Sequence, residues 1–129
     1  MSKRDIILDE YEITKYRYRE LYYMCLQYGE IKEKIKNLYN ISGVRISDMP
    51  RDNRISDSTA EKAIKITELE KKVKLIEQTA VEADAKLYRY ILIAVTQNVP
   101  YDLLDIPAGR RQFYKLRRKF FFLLDKNAK

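Results

Sequence analysis

Apolar residues recur along this chain three and four positions apart, the spacing of helices that bury one stripe. In the first third they fall at Ile7, Tyr11, Thr14, Tyr18, Leu21, Cys25, Tyr28, Ile35 and Leu38 or Tyr39. Lys32 interrupts the series, and neighbouring Ile31 can substitute for it. This heptad seam predicts a single helix from about Asp5 to Tyr39, with Gly29 its one weak point.

From Asn40 to Asp57 no apolar period is sustained, and Asn, Ser, Gly, Asp, Arg and Pro50 crowd together. A loop of about eighteen residues is expected here, with Met49 and Pro50 docking locally. Ser58-Thr59-Ala60-Glu61 then has the form of a capping box, in which the serine hydroxyl and the glutamate satisfy the first amides of a helix. Beyond it Ile66, Leu69, Val73, Ile76, Ala80, Ala83, Leu87, Tyr90 and Ala94 keep the spacing without a break. They predict a helix ending near Gln97-Asn98, stopped by Val99-Pro100. Two seam-bearing helices joined by one loop fold back most simply as an antiparallel hairpin.

After Pro100 the units shorten. Tyr101–Leu104 has room for one or two turns, Asp105-Ile106-Pro107 reads as a tight turn, and a third helix is expected from Ala108 to about Leu124. Phe113, Leu116, Phe120, Leu123 and Leu124 form its apolar arc. Three consecutive rings, Phe120, Phe121 and Phe122, do not fit on one face, because helical neighbours point about 100° apart. At least one needs a cover from elsewhere.

Charge changes the picture most. Of the 129 residues, the last 22 hold eight Lys or Arg and one acid, Asp125, so they account for the whole net charge of +7. A neutral body with one dense cationic element suits capture of a polyanion, which depends on local charge density. Catalytic chemistry is thinly supplied: histidine is absent, there is one cysteine, and no Gly-rich phosphate loop or nucleophile elbow occurs. Neither enzyme activity nor a cofactor is expected. Lone Cys25 fits a reducing cytoplasm. Apolar runs such as Phe120–Leu124 fall far short of the roughly 20 residues of a membrane span, and no secretory leader is expected.

Together, residues 99–129 read as a compact helix-turn-helix built on the end of the second long helix. Leu103 and Leu104 would pack the short helix inward, and Ile106 would plug the turn. Arg110, Arg111 and Tyr114 would lie on the groove-facing start of the recognition helix, with Lys115, Arg117, Arg118 and Lys119 suited to phosphates. Asp105 stands where many such turns have glycine, and it is a candidate cap for the basic helix. A solvated amphipathic C-terminal helix is the plainer alternative. Seven of eleven tyrosines lie between Tyr11 and Tyr39; Tyr16, Tyr22 and Tyr23 spill off the seam and suit an interface.

The segment Asp102-Leu103-Leu104-Asp105-Ile106-Pro107, followed by Arg110-Arg111-Gln112-Phe113-Tyr114 and Arg117-Arg118-Lys119-Phe120, resembles the C-terminal end of small phage and prophage proteins. Among these are the RinA/ArpU-type regulators of late phage transcription, whose C-terminal part is similar to the promoter-reading region of sigma factors. The resemblance implies DNA binding through the Arg110–Lys119 helix, contact with RNA polymerase and a bacterial cytoplasm. The expected molecule is therefore all-α, with an N-terminal helix and loop (1–57), a second hairpin helix (58–98) and a helix-turn-helix (99–129). Its expected partner is double-stranded DNA, bound as a homodimer paired through the hairpin. A protein-docking module and a phage assembly component remain the alternatives.

Overall fold

The structure, a computed structural model, describes residues 13–48 and 53–129, with the backbone alone described for 41–48 and 53–58. Its elements are α1 (Lys15–Leu26), α2 (Tyr28–Asp48), α3 (Asn53–Ala83), α4 (Tyr88–Gln97), a 3-10 turn (Tyr101–Leu103) and α5 (Arg110–Asn127). The fold is all-α, and no strand occurs among the described residues. The expectations at Ile7, Tyr11, Met49 and Pro50 lie outside these residues.

Several boundaries differ from those the sequence predicts. Thr14 is extended (φ −72°, ψ 159°), and its hydroxyl accepts a hydrogen bond from the Arg17 amide at 3.1 Å. It caps α1 and is not a seam residue, because threonine competes with the ladder for backbone donors. The first long helix is interrupted at Gln27, not at Gly29. The Gln27 amide is shared between the carbonyls of Tyr23 and Met24, each at 3.2 Å, and the helix resumes as Ile31 donates to the Gln27 carbonyl. Residues 40–48 and 53–57 are helical, so the eighteen-residue loop is not observed. Once nucleated, a helix propagates through polar sequence at little cost, and Pro50 is the only strong breaker in that stretch. Ser58 consequently sits inside α3, and its box with Glu61 does not mark the helix start.

The second long helix is broken at residues 84–87. Asp84 Oδ1 accepts from the amides of Lys86 (2.8 Å) and Leu87 (2.9 Å), an Asx turn that ends α3 and launches α4. This break shifts the buried phase. Ile91, Ala94 and Val95 are buried, whereas Leu87 and Tyr90 of the extrapolated seam are only partly so.

Tyr28 donates to Glu77, and Tyr39 donates to Glu70 at 2.8 Å, so α2 and α3 run antiparallel. The end of α3 joins α1, α4 and α5 in one core, which includes Leu21, Cys25, Ile76, Ala80, Ile91, Val95, Leu116, Phe120, Phe121 and Leu124. Within it α5 is antiparallel to α1: Arg17 meets Asp125, while Tyr18 meets Phe121 and Arg117. Asn127, in the last turn of α5, donates to Thr79 Oγ1 at 3.0 Å and fixes that end to α3.

Candidate nucleic-acid interface

The helix expected at 101–104 is a single 3-10 turn, too short to brace a recognition helix on a DNA backbone. Leu103 is 76% exposed and does not pack inward; Leu104 and Ile106 are buried. Asp105 takes the left-handed conformation (φ 55°) that glycine commonly supplies in such turns, and aspartate tolerates it. It does not cap α5. Gly109 occupies that position in extended conformation, without a side-chain cap, so Pro107 lies three residues ahead of the helix. Pro107, suited by its missing amide to a place near the first helical position, lies instead in the turn.

The buried face of α5 is also wider than the expected arc. Phe113, Leu116, Phe120, Phe121 and Leu124 are buried, and Leu123 is partly covered. Phe121 is 0% exposed, because Tyr18 of α1 meets it edge-on at 5.0 Å and Phe120 at 5.2 Å. Helix α1 supplies the cover that the three-ring run requires.

This burial divides the seven candidate residues. Arg117 is half-buried: it donates to the Tyr18 hydroxyl at 2.9 Å and lies over the rings of Phe121 (5.1 Å) and Tyr22 (6.0 Å). Arg110 pairs with Asp102 and stacks over Tyr101 at 4.9 Å. Tyr114 is half-buried and packs edge-on against Phe113 at 5.1 Å. Arg111, Lys115 and Lys119 are exposed and Arg118 half-buried. None of these four has a hydrogen bond or ion pair with the described residues.

At about 100° per residue, Arg111, Lys115, Arg118 and Lys119 share an arc of about 100° on α5. Arg110 and Arg117 lie on another line, about 100° round from Arg111 and Arg118. Lys126 falls in the cationic arc, its ammonium 5.4 Å from the Phe122 ring centroid. It was visible in the sequence but lay past the expected helix end. The stripe from Arg111 to Lys126 spans about 22 Å.

The one acid of α5 is neutralised beside this face. Asp125, 14% exposed at its side chain, accepts from Arg17 Nε at 2.6 Å and faces Lys129 at 3.6 Å. The hydrogen bond to Asp125 raises the pKa of Arg17 above its ordinary value, more than partial burial lowers it. Arg17 gave no functional signal in the sequence, since the pairing spans 108 positions.

The mouth of a cavity of about 240 Å³ opens at the elbow where α4 meets α5. Asn98, Val99, Pro100, Tyr101, Phe113, Tyr114 and Arg117 line it. Among the described residues there is no group of three or more metal-ligating side chains, and no helix long and apolar enough to cross a membrane. In comparisons with known proteins, the chain matches no family model, no curated protein and no solved structure.

Proposed function

We propose that this protein binds double-stranded DNA through the outward face of α5. One observation carries the reading: Arg111, Lys115, Arg118 and Lys119 form a cationic stripe with no ion pair or hydrogen bond among the described residues, and the one acid of α5, Asp125, is held by Arg17. Phosphates along a strand are a linear array of single charges, and a stripe of side chains on a firmly packed helix matches that form. The local resemblance to RinA/ArpU-type proteins supports a role as a phage or prophage transcription regulator in the bacterial cytoplasm, acting without a cofactor. A homodimer paired through α2 and α3 would present two stripes to two half-sites.

The test is fluorescence anisotropy on a duplex of about 30 base pairs across a salt series. Four phosphate contacts give a slope of log affinity against log salt of about −3.6. Replacing Lys115 or Arg118 with alanine should make the slope shallower by about one unit each. A slope near zero, or no binding at about 50 mM salt, would remove the reading.

Tyr16 and Tyr23 favour a second reading. They are 72% and 59% exposed and lie seven positions apart on α1, a pair of rings suited to a protein partner such as RNA polymerase or another phage protein. In that case Tyr16→Ala with Tyr23→Ala would abolish partner capture while DNA binding persisted.

A further inference from the structure

We propose that the elbow cavity is a receptor for one unpaired nucleobase of a DNA strand whose phosphates lie on the α5 stripe; this rests on the reading of α5 as the DNA-binding element. The cavity volume, about 240 Å³, suits one ring system. It exceeds the roughly 150 Å³ that holds a benzene ring and falls below the roughly 300 Å³ at which drug-sized pockets begin. Three of its walls are aromatic. Tyr101 and Phe113 stand 5.5 Å apart, and Phe113 and Tyr114 stand 5.1 Å apart. Tyr101 is fixed by its hydroxyl, which donates to the Ala108 carbonyl at 2.6 Å, and by Arg110 across its ring. Pre-set rings are what a sequence-tolerant base platform requires, because every base has a π-face.

The polar lining is donor-rich. Asn98, in left-handed conformation (φ 53°), uses its Oδ1 to accept from the Tyr22 hydroxyl at 2.9 Å. Its amide nitrogen therefore keeps two N–H donors. Arg117 gives one N–H to Tyr18 and retains others. A planar ligand bearing carbonyl acceptors, as thymine does, satisfies that inventory. Position completes the case: Tyr114 lies three residues after Arg111, one before Lys115 and four before Arg118, so the cavity borders the stripe. An unpaired base on a strand held there has a receptacle beside its own phosphate.

The experiment compares three duplexes of about 30 base pairs by anisotropy: fully paired, with one central unpaired thymine, and with an unpaired abasic residue at the same place. The thymine duplex should bind at least about fivefold more tightly than the abasic one, the lower end of what stacking of one base contributes. Asn98→Gly, which keeps the left-handed backbone and deletes the amide, should shrink that ratio; circular dichroism checks its fold. Equal affinity for the thymine and abasic duplexes would overturn the base receptor and leave the stripe reading standing. No binding of any duplex at about 50 mM salt would overturn both.

Discussion

Arg117 and Arg118 are neighbours with the same formal charge and opposite surroundings: one is bonded to Tyr18 and packed on rings, the other has no partner among the described residues. Their 100° separation on α5 decides which is structural and which is available to a ligand. The charge of Arg117 also reaches Cys25, whose thiol is pushed up to about 12 by burial, with Arg117 opposing in smaller part. Because the folded value lies above the ordinary thiol value of about 8.5, this contribution is fully present below about pH 8.5 and is lost as pH rises through about 12. Urea midpoints should therefore fall across that window. In Cys25→Ala the fall should be shallower by up to about 1.4 kcal/mol per pH unit, the limit for one titrating group. Equal slopes in both proteins would contradict the burial of the thiol.

At the scale of elements, the Asx turn at Asp84 decides the shape of the head, the core formed by α1, α4, α5 and the end of α3. The apolar spacing from Ile66 to Ala94 is continuous, yet two backbone amides captured by Asp84 end α3 and reset the phase of α4. Asp84→Ala should cost about 1 kcal/mol by loss of these bonds, and Asp84→Asn, which keeps an acceptor, clearly less. Thermal denaturation of the pair separates the turn from a mere charge effect. Helical periodicity was legible here because it is local; the interruption was not, since an aspartate on a solvated face and one that stops a helix read alike in sequence. For the same reason, the cationic content of α5 was legible while the division of its cations was not.

Across the whole molecule, packing is uneven. The largest fully buried side chains, among them Phe120, Phe121, Leu21, Ile76 and Ile91, all belong to the head. Farther along the antiparallel pair, Ile66 is 7% exposed, and Ile35, Leu38 and Leu69 are only half-buried. In the single chain, opening free energy follows buried apolar contact, so at concentrations low enough for a monomer the amides of 32–40 and 59–70 should exchange with deuterium faster than those of α4 and α5. At higher concentration, slowing of exchange in these segments would mean that a second chain covers the α2–α3 pair, as the proposed homodimer requires. Phe121→Ala, by contrast, should destabilise the head by about 3–5 kcal/mol, the usual cost of deleting a buried ring.

The sequence by itself determined that the chain is all-α, where the apolar stripe from Ile66 to Ala83 runs, that Pro100 follows a helix end, and that net charge concentrates in the last helix. Each of these follows from local periodicity, backbone stereochemistry or simple counting. Only the tertiary structure decided that α1 covers Phe121, that Arg17 neutralises Asp125, and that Arg117 turns inward while Arg118 does not. These depend on contacts between positions about a hundred residues apart, as in the span of 108 between Arg17 and Asp125. No local pattern encodes such pairings, because any of several helix faces could have met α5, and the packing of Tyr18 of α1 on Phe121 selected one.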